Sequence, residues 1–326
     1  MKNRVSFFTI LGVLTLGLFV LDLCSGSIWL NAFSLLGSEN IDSMTYNILW
    51  NLRLSKAIVA ILAGAALSVS GLMMQTMFRN PLAGAYTLGV SSGASLGVAF
   101  VTMCSTMFAW MPLYHLGSVF AAILGSTAVL LLVLAVSRHV RSNVSLLIIG
   151  MMFGSIAGAL VSLMQNFANP DALKLFIVWT LGSLDSVGWA DMPIMLSIIL
   201  LGLVLSFLLV KPLNGLMLGE DYARGLGINI YRTRIGIVLA TGLLAGVTTA
   251  FCGLIAFVGV AVPHIARGLL QSSNHRLTMP ACALIGAMLI LICDIFSSLF
   301  VYPLPISTIS ALFGAPIIIY IIVKSK

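Results

Sequence analysis

The sequence predicts an all-α polytopic membrane protein with about ten transmembrane helices. Two observations carry this. Of 326 residues, 60% are hydrophobic and only 8% are charged, with a mean hydropathy of +1.14. Soluble domains hold about 45–50% apolar and about 25% charged residues, so this chain lacks the polar side chains that coat a water-soluble globule. The apolar residues also come in continuous runs of about 20, the length that crosses a hydrocarbon core as a helix. A barrel strand would alternate apolar and polar residues instead, and backbone groups in lipid are satisfied only within helices or closed barrels. Soluble enzymes, nucleic-acid binders, secreted modules and disordered chains do not fit this balance.

The runs can be taken in order. The first, 6–24, lacks a small-residue cleavage site and reads as a retained helix, not a removed signal. Spans at 55–77, 86–107, 115–137 and 145–167 follow. Asn169-Pro170-Asp171 and Gly182-Ser183 then punctuate a segment that carries a short surface helix. After the span at 192–210 comes the longest polar loop, 211–234. The spans at 235–252, 278–300 and 306–323 are regular, but the run at 254–266 is too short to cross as a helix, which predicts a broken or protein-buried element. No linker or second domain interrupts residues 1–326.

Ten spans put both termini on one side. With that side cytoplasmic, Lys2, Arg4, Arg79, Arg138, Arg141, Lys211, Arg224, Arg232, Arg234, Arg267, Arg276, Lys324 and Lys326 are inside, 13 of the 16 basic residues. Outside remain Arg53, Lys56 and Lys174, and of nine acids only Glu220 and Asp221 fall inside. The net charge of +7 is thus the positive-inside bias of membrane proteins, not a nucleic-acid footprint. Arg53 and Lys56 are exceptions that ask for a reason.

Small residues recur at spacings of three and four from Ala63-Gly64 to Gly71, the pattern that lets helix backbones approach closely. Asn80-Pro81 stops that helix. The stop, followed by Gly89 and Ser91-Ser92-Gly93, predicts irregular backbone at membrane depth, tolerated only against protein or a watery cavity. Ala63-Gly64, Gly71-Leu72 and Pro81 recur 182 positions later as Ala245-Gly246, Gly253-Leu254 and Pro263. The second and seventh spans run in opposite directions, so the echo raises an inverted-topology repeat, a common transporter plan. The five cysteines (Cys24, Cys104, Cys252, Cys282, Cys293) show no metal-ligand or disulfide spacing and read as apolar packing residues.

The stretches Arg79-Asn80-Pro81-Leu82-Ala83, Leu88 to Ala94, and Phe257 to Arg267, with Asp294 and Leu312-Phe313-Gly314-Ala315-Pro316, closely resemble the membrane permeases of ATP-binding-cassette (ABC) importers for iron chelates, haem and vitamin B12. The resemblance covers about residues 45–323. It implies the type II importer permease fold, a path formed with a second, identical or homologous permease subunit, an extracytoplasmic binding protein that delivers the ligand, and two cytoplasmic ATPases. It implies a multi-pass protein of the bacterial cytoplasmic membrane, in contact with lipid and not with nucleic acid. No Gly-x-x-x-x-Gly-Lys-Ser/Thr loop occurs, so this chain has no phosphate cradle of that kind. Nor do its residues form a nucleophile–base–acid set, so no catalytic, cofactor or metal residue is expected and the chain reads as a non-enzyme subunit.

By match to the family, Arg53 and Lys56 face the binding protein; the bland alternative is snorkelling of long basic side chains at the interface. Some relatives carry a third basic residue where Ser298 stands. The 211–234 loop is implied to couple to the ATPase through Gly219, Glu220, Asp221, Ala223, Arg224, Gly225, Leu226 and Gly227. Glu220 and Arg224 are four apart, a spacing for a helical ion pair. Gln75, Asn80, Pro81, Ser91, Ser92, Ser142, Asn143, Met151, Met152 and Ser155 are the expected path and gate residues. His264 reads as structural despite its temptation as a haem ligand. The 16 methionines mostly fill irregular gaps within spans. A ferric siderophore is the expected cargo, with haem or cobalamin the alternative. A transporter driven by an ion gradient would need intramembrane ionisable relays, and only Asp22 and Asp294 lie near spans, both toward one end.

Overall fold

The structure is a computed structural model that describes residues 2–26, 43–104, 114–137, 140, 143–300 and 302–324. Among these the regular structure is entirely helical. Six helical stretches are long and apolar enough to cross a membrane: Arg4–Cys24, Ser43–Phe78, Gly117–Val136, Val144–Phe167, Ile230–Cys252 and His275–Ser298. A bent pair and three shorter apolar helices stand where the remaining predicted spans lie.

In chain order the helices are α1 (Lys2–Cys24), α2 (Ser43–Asn47), α3 (Ser55–Phe78), α4 (Val90–Cys104), α5 (Tyr114–Ser137), α6 (Asn143–Phe167), α7 (Pro170–Leu181), α8 (Met192–Leu208), α9 (Val210–Met217), α10 (Glu220–Gly225), α11 (Ile230–Thr241), α12 (Val247–Cys252), α13 (Val258–Leu270), α14 (His275–Ser298) and α15 (Ile306–Lys324). A π-helical stretch, Ile48–Leu54, joins α2 to α3, and another, Gly242–Gly246, joins α11 to α12. The helix carrying Arg53 therefore begins well before the predicted 55 and runs unbroken from Ser43.

α3 is the spine, with 83% of its apolar window buried. Its small residues explain why. A Cβ on Gly64 would strike the Gly286 carbonyl of α14, and one on Gly71 would strike the Gly259 carbonyl of α13. Ser68 Oγ donates to Cys282 O at 2.7 Å across the first of these contacts. Without a hydrophobic drive between helices in lipid, close backbone approach and such polar links hold the bundle. α4 and α5 repeat the device: Gly93 lies against Gly125, and Gly97 against the Ala121 carbonyl. Met73, Met74, Met77, Met195 and Met279 fill the core between these contacts, as expected of Met in irregular gaps. Cys252, Cys282 and Cys293 are buried and unbridged, and Cys24 is half-buried.

The surface helix after the fifth span is α7, capped by Asn169 Oδ1 accepting from Ala172 N at 2.8 Å and opened by Pro170. The short eighth element is α13, thirteen residues long, preceded by Phe257 at φ 65°. It is too short to cross and is lodged against α3, α14 and α15. α8 and α9 meet at a 52° bend. The expected irregular backbone after Asn80-Pro81 is present: Arg79 caps α3 at φ 49°, a short 3-10 turn spans Ala85–Leu88, and Gly89 at φ 75° admits α4.

The echo at a shift of 182 does not survive as a repeat in that register. Gly71 lies inside α3, whereas Gly253 lies just beyond α12 at φ 73°; Pro81 is in a turn, whereas Pro263 is inside a helix. Gly, Ala and Leu are common enough in apolar helices to align without structural equivalence.

Candidate functional sites at the two ends of the bundle

The charged and polar residues gather at opposite ends of α3. At its start, Lys56 Nζ lies 2.9 Å from Asp294 Oδ1 of α14 and 3.4 Å from Asp185 Oδ1 in the α7–α8 connection. Its side chain is 15% exposed and that of Asp294 4%. Asp22 of α1 lines the same cavity, together with Ser25, Arg53 and Ser298. Arg53 Nη1 donates to the carbonyls of Leu23 and Cys24, both at 3.0 Å, placing a cation on the C-terminal carbonyls of α1 where the helix dipole favours it. Ser25 Oγ and Ser298 Oγ are 3.4 Å apart, so the position occupied by a basic residue in some relatives here joins α1 to α14. Trp189 Nε1 donates to Trp50 O at 3.1 Å and the two rings stack, suited to a membrane–water interface.

Arg53 and Lys56 are thus brought together, but Lys56 is bound into the protein. Two acids that no motif flagged as its partners hold it, and a buried charge that loses its partner costs about 3–5 kcal/mol. Asp22 and Asp294 sit at this one end and do not form a relay along the bundle.

At the other end of α3 a polar network ties five elements. Gln75 Nε2 donates to Val260 O at 3.1 Å, and Arg267 Nη1 donates to Gln75 Oε1 at 2.7 Å. The His264 ring Nε2 is 2.9 Å from Pro81 O, which fits the structural role expected of it. Thr76 Oγ1 and His275 Nε2 are 2.8 Å apart, and His275 Nδ1 faces Asn214 Oδ1 at 2.8 Å. Asn80 Oδ1 accepts from Leu82 N at 2.9 Å, making Asn80-Pro81 a turn. α1 and α15 both pack against α14.

The 211–234 loop belongs to this end. Gly219 at φ 113° starts α10, and Gly227 at φ 79° turns the chain toward α11; both conformations favour glycine. Glu220 Oε2 is 3.6 Å from Arg224 Nη2, the expected pair, and Arg224 also reaches Asp221 at 3.3 Å. The nearer partner of Glu220 is Arg234, 2.7 Å from Oε1 and only 8% exposed. Leu218, Tyr222 and Leu226, four residues apart, are 63%, 59% and 59% exposed.

Three of the expected site residues, Gln75, Ala223 and Gly225, have distinct surroundings. Gln75 is 3% exposed and bonded to Arg267 and Val260, so it ties α3 to α13. Ala223 is fully buried, on the side of α10 packed toward Gly215 of α9. Gly225 lies within α10 with open space where a Cβ would stand, and Gly227 has the positive φ of the turn.

The α6 residues stand apart. Met151 and Met152 are 44% and 53% exposed, and Ser155, also exposed, returns its hydroxyl to Met151 O at 3.0 Å. Ser91 and Ser92 are half-buried in the first turn of α4, where a Cβ on Gly154 would come 3.3 Å from Ser92 Oγ. Asn143 begins α6, and Ser142 lies outside the described residues.

The sequence model of the FecCD transport family matches residues 14–324. The chain is 34% identical over 330 residues to the vitamin B12 import system permease protein BtuC of Citrobacter koseri, covering 100% of this chain and 96% of that one. It is 33% identical over 333 residues to the hemin transport system permease protein HmuU of Yersinia pestis, covering 100% and 98%. A solved chain of an inward-facing ABC transporter assigned to the metal-chelate type superposes with a TM-score of 0.87 at 29% identity, covering 98% of this chain and 99% of that one.

Proposed function

The chain belongs to the FecCD transport family, and from that membership we propose that it is the membrane-spanning permease subunit of an ABC importer that carries a metal chelate across a bacterial cytoplasmic membrane. It works beside a second permease subunit, two ATPases and an extracytoplasmic binding protein. It hydrolyses nothing itself. Chain ends and the 211–234 loop are cytoplasmic, as the distribution of basic residues supports.

The observation that carries this reading is α10. A short helix on the end richest in Lys and Arg exposes Tyr222, with Leu218 before it and Leu226 just after it also exposed, in a loop held by its own ion pairs. Apolar groups on a polar loop mark a contact surface, and a chain without a phosphate cradle needs such a contact to be driven by ATP. Asp221, Arg224 and the two turn glycines complete this coupling surface. At the opposite end, Arg53 faces the binding protein while Lys56 shapes the platform beneath it. Met151, Met152 and Ser155 on α6 line the path formed with the second subunit.

The relatives are named for vitamin B12 and hemin, so cobalamin and haem stand beside a ferric siderophore as the chelate carried. The binding protein makes that choice, because path residues touch cargo weakly. The test is to purify the permease with its cognate ATPase and binding protein and titrate the binding protein with each chelate. Retention of the ATPase by the wild type and its loss in a Tyr222→Ala, Leu226→Ala variant support the reading; equal retention by both contradicts it.

A further inference from the structure

Arg234 stands where three parts of the inner end meet. It lies on α11 with its side chain 8% exposed. One guanidinium nitrogen, Nη2, lies 2.7 Å from Glu220 Oε1 at the first position of α10. The other, Nη1, donates to Val140 O at 3.3 Å, three residues before α6 begins. The planar fork of an arginine suits this two-way grip, because its donors diverge at fixed angles; a lysine carries a single point charge.

The three parts have different duties in the proposed function. α10 carries the exposed Tyr222, flanked by exposed Leu218 and Leu226. α6 carries Met151, Met152 and Ser155 and packs at Gly150 and Gly154 against Leu88, Gly89 and Ser92. α11 is anchored in the bundle against α3 and α8. Arg224, on the solvent side of Glu220, is 58% exposed and can be exchanged for water. Arg234 is largely withdrawn from water and forms the shorter of the two pairs with Glu220.

We propose that Arg234 is a positioning residue that couples α10 to the entrance of α6, so that a displacement imposed on α10 by the ATPase reaches the path-lining helix directly and not through the body of the bundle. This rests on the reading of α10 as the ATPase contact. Glu220 receives the push, Arg234 turns it, and the Val140 carbonyl delivers it to α6. A purely structural arginine would lower stability and leave stoichiometry alone. A coupling arginine changes how much chelate moves for each ATP.

The test uses the complete importer in liposomes, with ATP hydrolysis and chelate uptake measured together. Arg234→Lys keeps the charge and loses the fork; it should retain the ATPase, hydrolyse ATP, and show uptake per ATP reduced about tenfold, the scale of mutations along a coupling route. Glu220→Gln attacks the same link from the other side and should do likewise, which keeps the test open if one variant fails to fold. The exchange Glu220→Arg with Arg234→Glu restores an ion pair, but a carboxylate cannot donate to Val140 O, so its ratio should stay low. A wild-type ratio in Arg234→Lys and Glu220→Gln, or full recovery of the ratio in the exchange, overturns the proposal. The Tyr222→Ala, Leu226→Ala variant separates this from the reading beneath it: if that variant loses the ATPase while the Arg234 and Glu220 variants couple normally, only the link falls. If it keeps both ATPase and uptake, the coupling role of α10 falls and takes the link with it.

Discussion

Lys56 on α3 and Asp294 on α14 meet at 2.9 Å with both side chains largely withdrawn from solvent. The pair joins two helices whose backbones already touch at Gly64 and Gly286, and it changes what the two outer cations can be expected to do. Lys56→Glu would set a third acid between Asp294 and Asp185. It should lower the melting temperature of the purified permease and reduce its yield in the membrane, by about 3–5 kcal/mol for a broken buried pair. Lys56→Met, uncharged, should be milder than Lys56→Glu. Equal melting temperatures for wild type and Lys56→Glu would show that the pair holds nothing.

Arg53→Glu is the better probe of docking. It lies on the rim, with its guanidinium on the last carbonyls of α1. Rim charges act mostly on association rate, and exposed pairs contribute about 0.2–1 kcal/mol. Binding-protein association should slow in Arg53→Glu at low salt, and the difference should shrink as salt rises. Unchanged kinetics would leave Arg53 as a helix cap only.

The two glycines around the α10 turn should separate cleanly. Gly227 has φ 79°, whereas Gly225 is helical with open space beside it. A β-branched residue at positive φ carries strain of about 1–3 kcal/mol. Gly227→Val should therefore lose uptake, while Gly225→Ala should transport as wild type. If Gly227→Val keeps the wild-type rate, the turn tolerates another conformation and the shape of the α10 loop does not matter.

Orientation can be read by labelling in a background without native cysteines. Asp221, 99% exposed at its side chain, should resist a membrane-impermeant reagent in intact cells. Tyr302, 85% exposed beyond α14, should react. The reverse pattern would invert the topology. Asn214 is a poor place for a probe, because it holds His275.

The fold was largely legible because its signals are local. Apolar run length, the Asn169-Pro170 start of α7 and the Asn80-Pro81 stop each depend on neighbouring residues. The shortness of the eighth element was also visible, although its start lay at 258 and not 254. The hidden features join residues far apart in sequence. Nothing local pairs Lys56 with Asp294, or Glu220 with Arg234; for the latter, the i,i+4 rule pointed to Arg224, which is present but more exposed. Nothing near Gln75 in sequence marks its partner. Arg267, 192 residues later, was the partner that satisfied it. The helix runs back to Ser43, ahead of the predicted start at 55, because α2 and a π-helical stretch carrying Asn51 and Arg53 lead into α3.

The most direct measurement is uptake of a labelled chelate into liposomes holding this permease with its ATPases, with the binding protein added on the side opposite the ATPases. Accumulation against a gradient is expected only when Mg-ATP and the loaded binding protein are both present, with no effect of collapsing the proton or sodium gradient. Accumulation driven by an ion gradient without ATP, or ATP-driven uptake that needs no binding protein, would contradict it.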